Sequence, residues 1–287
     1  MDQNIRWWKK NSEITQNAIF LSVAFAVNIV WILVLSKFFT PGFSMADDLF
    51  IRDMLNHVTY DSSGYSIYIK HSLGWVLSYL YRVAPHIEWY AWLLFGLNGG
   101  SLIIIHYAFQ KSGKNVWGWL LANILHVLLL STYTKQLMYP TYTEVAGLCG
   151  IAAIALFCVT DTNDKVPRYW EVGQWIVICL LAGMSFALRE DAFFELVPYA
   201  ALAFVWKICR ISTKRKNCLI LGGCIALSVG MVFIEDKIAY TAEGYEQVYT
   251  DIEVQTQSVD YYGIPSWWDH EAFYTGIGVE MEDALFL

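Results

Sequence analysis

The sequence predicts an all-α membrane protein, a polytopic transmembrane helix bundle with about seven spans, and three observations support this class. The chain has 287 residues, of which 56% are hydrophobic and only 16% are charged, whereas soluble domains carry about a quarter charged residues. Its mean hydropathy is +0.40. It also contains 13 Trp and 18 Tyr, whose amphipathic rings collect at the interface between membrane and water.

The predicted spans are the apolar stretches that reach the length of helix a bilayer requires, about 17–25 residues. They cover 17–39, 88–110, 116–133, 143–160, 172–188, 192–208 and 218–234. A further stretch, 66–84, is only half apolar and carries Lys70, His71 and Arg82. We expect it to form an interfacial or re-entrant helix in the first outer loop.

The distribution of charge predicts the orientation of the chain. With the N-terminus inside, most of the 19 Lys and Arg residues lie in inner segments, including the basic loop from Lys207 to Lys216. Basic residues stay on the cytoplasmic side during insertion. We therefore predict a multi-pass protein of the cell (plasma) membrane with a cytoplasmic N-terminus and an extracytoplasmic C-terminus.

Two domains are predicted: a transmembrane helical domain, 1–234, and an extracytoplasmic acidic, aromatic-rich segment, 235–287. The second segment has no apolar run of spanning length, but its aromatic content is typical of a folded segment, because disordered regions are poor in aromatics. It closes on Leu285-Phe286-Leu287. Exposed apolar residues invite association, so we expect a longer protein or a tail that packs back onto the helices.

An acidic pair, Asp47-Asp48, follows the first span within Pro41-Gly-Phe-Ser-Met-Ala-Asp-Asp-Leu-Phe-Ile-Arg. Two adjacent carboxylates can share a proton, bind a cation or act as a general base. The alternative is structural, because either residue is well placed to cap the helix that the spacing of Leu49, Phe50 and Leu55 predicts. A divalent metal at the pair is a further alternative, although no metal ligand set or cofactor is predicted.

A first span followed closely by an acidic pair on the outer face resembles the GT-C class of polytopic membrane glycosyltransferases. The resemblance implies a multi-helix core, a polyprenyl-phosphate-linked sugar as donor, and Asp47 or Asp48 as the base or the group that orients the acceptor. We expect the neighbouring Arg52, Lys70 and His71 to contribute to substrate binding. The surrounding sequence is also similar to uncharacterised bacterial multi-span proteins at Asp53, Gly64, Tyr65 and the stretch Lys70-His-Ser-Leu-Gly-Trp.

A second charged group, Arg189-Glu190-Asp191, lies at the outer end of the fifth predicted span. Charges this close to hydrocarbon are costly and mark either function or pairing. The planar guanidinium of Arg189 suits a phosphate, so the three residues are candidates for substrate binding. Alternatively they close a tight hairpin, with Arg189 paired to Glu190 or Glu195.

A third group lies in the loop before the fourth span, where Lys135 and Tyr139 are candidates for contacts with a sugar or pyrophosphate. An interfacial aromatic belt with a snorkelling lysine is the alternative. His106 and His126 fall within spans, and we expect them to bind neighbouring helices through hydrogen bonds.

The sequence contains no nucleotide-binding glycine loop, nucleophile elbow or HExxH motif. Two hypotheses remain. The first is a glycosyltransferase whose partners are the lipid bilayer and a polyprenyl-phosphate-linked sugar, with no nucleic acid. The second is a transporter or a non-catalytic multi-span membrane protein. Protein partners are not predicted.

Overall fold

The computed structural model describes residues 2–44, 46–56, 64–66, 68–113, 115–160, 168–210 and 215–241, with Trp268, Glu271 and Thr275; side chains are described from Glu13 onward, apart from that of Ala46. Within these ranges the regular structure is helical and no strand occurs. The predicted all-α class is confirmed for this part of the chain. Most of the predicted C-terminal segment lies outside the described residues.

The helices in the described ranges are numbered in chain order. They are α1 (Asp2–Leu35), α2 (Ala46–Leu55), α3 (His71–Val83), α4 (Trp89–Ser112), α5 (Val116–Thr132), α6 (Thr134–Met138), α7 (Tyr142–Val159), α8 (Arg168–Leu188), α9 (Glu190–Arg210) and α10 (Arg215–Tyr240).

Six of these helices are long and apolar enough to cross a membrane: α4, α7, α8, α9, α10 and the Glu13–Leu35 part of α1. α5 is equally apolar but has 17 residues. The shorter α3 falls within the stretch 66–84, where a helix was expected. The protein is therefore multi-pass, as predicted from composition.

The long helices run back and forth between two ends of the bundle. One end, called the α2 end, holds α2, the N-terminal ends of α4, α7 and α9, and the C-terminal ends of α1, α8 and α10. At the opposite end, Lys207 of α9 donates hydrogen bonds to the carbonyl oxygens of Phe157 and Thr160. These carbonyls end α7 and have no partner within their own helix, so the buried lysine ties α9 to α7.

The centre of the bundle is α7, which packs against α4, α8 and α9. Small residues on α7, among them Ala146 and Ala152, are fully buried and let neighbouring helices approach closely. About half of the spanning window is buried in α4 (50%), α7 (56%) and α8 (50%), whereas only 11% is buried in α9 and in α10. The last two helices therefore form the least enclosed side of the bundle.

Two histidines join α1, α4 and α5 within the bundle. The rings of His106 and His126 are stacked, with centroids 3.9 Å apart. The His106 Nε2 atom is hydrogen-bonded to Asn123 of α5 (3.0 Å), and the His126 Nε2 atom to Asn28 of α1 (3.2 Å). The expectation that both bind neighbouring helices is confirmed.

The chain divides into two compact units, Met1–Asp236 and Lys237–Leu287. The first unit contains the helices α1 to α9 and most of α10. Of the second unit the structure describes the end of α10, Thr241 and the three isolated residues named above.

Candidate functional site

Asp48, in the first turn of α2, is fully buried where the N-terminal ends of α4 and α7 meet. Its Oδ1 atom accepts hydrogen bonds from the Tyr90 hydroxyl (2.8 Å) and from the backbone N–H of Tyr142 (3.1 Å). Tyr142 is the first residue of α7, so the carboxylate satisfies an N–H group that the helix leaves free and lies at the positive end of its dipole. A cap on α2 was the structural alternative; in the structure Asp48 binds the first N–H of α7, while Thr141 is the N-cap residue of that helix.

The second carboxylate oxygen of Asp48 gives this residue its distinct chemistry. Oδ2 is buried and has no hydrogen-bond partner among the described residues. Burial raises the pKa of Asp48 to about 6, and the hydrogen bonds from Tyr90 and Tyr142 limit the rise. A buried acceptor without a donor is costly, so Oδ2 is where a proton binds as the pH falls.

Asp47 has a different environment, although it is the adjacent residue. It is half-buried, and within the described ranges it makes no hydrogen bond or ion pair. Its charge acts on Asp48 and on Tyr142, so it lies close to both. Of the two predicted catalytic carboxylates, Asp47 is therefore the one that a substrate can reach.

Arg189 is the single residue between α8 and α9, and its guanidinium reaches the same region. The Nη1 atom donates a hydrogen bond to the Tyr142 hydroxyl (3.1 Å), and Nη2 lies 3.1 Å from a carboxylate oxygen of Asp191. Its ion pair is thus with Asp191, whereas Glu190 or Glu195 was expected. Tyr142 links the two predicted groups, because its backbone N–H binds Asp48 and its hydroxyl binds Arg189.

Lys70 connects three elements at the α2 end. Its ammonium lies 2.7 Å from a carboxylate oxygen of Glu190, at the start of α9, and 3.0 Å from one of Asp236, near the end of α10. Its backbone N–H donates to the carbonyl of Ala187 in α8 (2.8 Å). Burial alone would lower the pKa of Lys70, but its bonds to Glu190 and Asp236 raise it above the usual value. The lysine therefore stays charged.

His71 begins α3, and α10 supplies the cap. The backbone N–H of His71 donates to Oδ1 of Asp236 (2.9 Å), while its Nδ1 atom lies 2.6 Å from a carboxylate oxygen of Glu235. The Tyr65 ring packs against the imidazole, with centroids 4.5 Å apart. Lys70 and His71 are thus both held by α10 carboxylates.

The remaining predicted residues lie around this cluster. Arg52 pairs with the neighbouring Asp53 (2.6 Å) and lies over the ring of Phe43. Lys135 is exposed on α6. The Tyr139 ring packs near Gly42, where a Cβ atom would lie 3.7 Å from it. The structure does not bring these three residues into hydrogen-bonding contact with Asp48, Arg189 or Lys70.

Glu235 and Asp236 were not among the predicted site residues. The sequence places them after the last apolar stretch, so we expected them in the C-terminal segment, but α10 continues to Tyr240. Two acidic residues at the end of an apolar helix are energetically costly. This cost is the sequence signal that could have identified Glu235 and Asp236. Tyr90 was also missed, because a tyrosine near a span end usually belongs to the interfacial belt.

No group of three or more His, Cys, Asp or Glu side chains arranged to hold a metal ion occurs among the described residues. Two further histidines, His57 and His270, were considered as ligands for a metal at the acidic pair and lie outside the described residues. Comparison with protein-family models, with curated proteins and with solved structures gives no match.

Proposed function

We propose that this protein is a membrane glycosyltransferase of the GT-C kind, which transfers a sugar from a polyprenyl-phosphate donor to an extracytoplasmic acceptor. One observation carries the proposal: a half-buried carboxylate, Asp47, which has no partner within the described ranges, and a guanidinium, Arg189, both act on Tyr142, and the Tyr142 hydroxyl accepts a hydrogen bond from Arg189. A general base and a fixed cation for a leaving phosphate are the two groups that such a transfer requires.

In the proposed reaction, the acceptor hydroxyl oxygen forms a bond to the anomeric carbon of the sugar. Its proton passes to the Asp47 carboxylate. The bond between the anomeric carbon and the phosphate oxygen breaks, and the electron pair leaves with the phosphate. Arg189 uses two donors on Tyr142 and Asp191, so further N–H groups of its five can hold the departing phosphate.

Asp48, Lys70 and His71 have a positioning role in this proposal. Asp48 fixes the start of α7, and hence Tyr142, while Lys70 and His71 join α3 and α9 to α10. Because two carboxylates already share the ammonium of Lys70, Arg189 is the better phosphate ligand. Lys135, Tyr139 and Arg52 remain candidates for contacts with the more distant part of a substrate.

The topology that the proposal requires has seven crossings, with the α2 end outside. The helix α5 runs from the opposite end to the α2 end, and its 17 residues span about 25 Å, close to the thickness of the hydrocarbon core. With the α2 end outside, the N-terminus and the basic Lys207–Lys216 loop both lie on the cytoplasmic side, as the basic residues predict.

Cation transport is the second candidate, and the excess of carboxylates at the α2 end favours it. Glu190, Asp191, Glu235 and Asp236 outnumber Lys70 and Arg189 there. The two functions differ in their products, because only a transferase releases free polyprenyl phosphate from a lipid-linked sugar.

The test is an assay of the purified protein with polyprenyl-phosphate-linked hexoses and membrane lipid extract as acceptor. We expect donor-dependent release of polyprenyl phosphate, and we expect Asp47→Asn to reduce it about 100-fold or more while thermal stability is unchanged. Glu88→Gln, at an exposed carboxylate of the same end, is the matched control. Release at the wild-type rate by Asp47→Asn removes this residue as the base, and no release by the wild type with any hexose contradicts the function.

A further inference from the structure

An apolar groove of ≈ 920 Å³ lies between α10 and the helices α7, α8 and α9. Contacts of α10 with the bundle are found at both ends of the groove. Near the N-terminal end, Gly222 lies against the Phe204 ring and Asn217 donates a hydrogen bond to Glu171 (3.3 Å). At the α2 end, Asp236 is bound to Lys70. Between these points Ile225 and Val232 pack against the core, whereas a Cβ atom at Gly223 or Gly230 would meet nothing within 4 Å.

The groove opens sideways toward the region that lipid occupies in a membrane. Its lining includes side chains that are largely exposed on α9 and α10, among them Phe194 (57%), Leu219 (58%) and Phe233 (43%). Its floor is made of buried residues of α7 and α8, such as Ala153 and Ala182. The walls are almost wholly apolar, so the groove is suited to hydrocarbon.

A groove of this kind is filled in a bilayer. Apolar walls without partner atoms lose dispersion contacts, and water does not enter an apolar cavity that offers it no hydrogen bonds. The volume is at the upper end of the range for ligand sites, about 300–1,000 Å³. Lipid chains are therefore the natural occupant, and the polar atoms at the rim decide which lipid is preferred.

Lys70 and its two carboxylates lie next to the groove at the α2 end, and we take them as its polar rim. Phe186 lines the groove, and the Lys70 ammonium lies over its ring, 5.4 Å from the centroid. Glu190 and Asp236 both pair with that ammonium. One cation with two anions leaves a net negative charge at the mouth, which repels a phosphate.

A hydroxyl group satisfies this rim better than an ion does. The Lys70 ammonium has three N–H donors, of which Glu190 and Asp236 take two, so one can donate to a hydroxyl oxygen. The same hydroxyl can donate to Glu190, whose side chain is 39% exposed. A second ammonium would meet repulsion from Lys70 at close range.

We propose that the groove binds the hydrocarbon chains of a neutral glycolipid, with its sugar hydroxyls at Lys70, Glu190 and Asp236. In the transfer reaction proposed above, this lipid is the acceptor, since the donor phosphate is assigned to Arg189. The assignment as acceptor rests on the proposed function, whereas the lipid preference is measurable by binding alone.

The experiment compares three lipids with identical dioleoyl chains: a glucosyl diacylglycerol, phosphatidylethanolamine and phosphatidylglycerol. Each is added to the purified full chain in detergent, and the rise in Tm and the binding seen by native mass spectrometry are recorded. We expect the glucosyl lipid to bind best, and Glu190→Gln to reduce its advantage about tenfold.

Groove-filling variants test where the chains lie. Gly230 lines the groove, and a Cβ atom there meets nothing within 4 Å, so Gly230→Leu introduces a larger side chain at a position with room for its Cβ atom. Gly183, which is also open within 4 Å but does not line the groove, provides the control Gly183→Leu. We expect only Gly230→Leu to abolish the Tm rise.

Several outcomes overturn the inference. Preferential binding of phosphatidylglycerol or phosphatidylethanolamine excludes a hydroxyl-selective rim, and equal binding of the three lipids shows hydrocarbon filling without headgroup recognition. An unchanged Tm rise in Gly230→Leu places the chains elsewhere. If the glycolipid binds but no polyprenyl phosphate is released, the binding site stands and the proposed transfer reaction is wrong. The failure of one proposal is therefore distinguishable from the failure of the other.

Discussion

At the scale of the residue, Asp47 and Asp48 show how two adjacent carboxylates acquire different properties from their surroundings. Asp48 is fully buried and bound by Tyr90 and by the start of α7, whereas Asp47 is half-buried and makes no hydrogen bond within the described ranges. Neighbouring acids in different environments can take different roles. Asp48 therefore serves the structure, and Asp47 is the candidate for chemistry.

The pKa of Asp48 predicts how stability depends on pH. Its folded value of about 6 lies above the ordinary 3.8, so the folded protein binds this proton more tightly than the unfolded chain. The free energy of unfolding therefore falls as the pH rises from about 4 to about 6, by about 3 kcal/mol from this group. Above that window the contribution of Asp48 is constant.

Substitution of Asp48 isolates this effect. We expect the Tm of Asp48→Asn to vary less between pH 4 and pH 6 than that of the wild type, because the variant has no proton to lose at this position. Asp47→Asn is the control and should retain most of the wild-type slope, because burial is the largest cause of the raised pKa of Asp48 and the Asp47 charge a lesser one. Thermal unfolding in detergent across that pH range measures both, and parallel curves for Asp48→Asn and the wild type would contradict the assignment.

At the scale of the element, hydropathy locates the helices because each must satisfy its own backbone hydrogen bonds inside the bilayer. The predicted stretch 143–160 corresponds to α7 within one residue at each end. The end of α10 was missed, because Glu235 and Asp236 interrupt the apolar pattern while Lys70 and His71 compensate them. Local sequence does not encode a pairing between residues so far apart.

The Lys70 ion pairs predict a large effect on the packing of α3, α9 and α10. Lys70 is 12% exposed and Asp236 only 7%, so removal of the ammonium leaves a buried carboxylate without its counter-charge. We expect Lys70→Met to lower the free energy of unfolding by about 3 kcal/mol. The exposed Lys37 supplies the control Lys37→Met, which should have little effect.

The double variant Lys70→Met/Asp236→Asn separates the ion pair from other contacts of the lysine. It should recover most of the lost stability, because neither charge then remains buried alone. Thermal unfolding of the four proteins in one detergent provides the cycle. A double variant whose loss equals the sum of the two single losses would show that the two residues are not coupled.

At the scale of the whole molecule, the balance between buried and exposed helices indicates how the bundle meets its membrane. The spans α4, α7 and α8 form the enclosed core, whereas α9 and α10 are only 11% buried and border the apolar groove. The polar cluster lies at the same end of the bundle as the headgroup rim of that groove. The proposed action on lipid substrates uses this combination of a lateral apolar groove and a polar cluster at one end of the bundle.

The orientation of the bundle is the last prediction, and it also decides whether α5 crosses the membrane. Single cysteines are placed in a background without the six native ones, at exposed positions before α4 (His86→Cys), at the last residue of α4 (Ser112→Cys) and after α5 (Lys135→Cys). Basic loops stay in the cytoplasm, so an impermeant external thiol reagent should label His86→Cys and Lys135→Cys in intact cells but not Ser112→Cys. All three should react after permeabilisation, which controls for local accessibility. External labelling of Ser112→Cys alone would reverse the orientation, and protection of Lys135→Cys together with Ser112→Cys would show that α5 does not span the membrane.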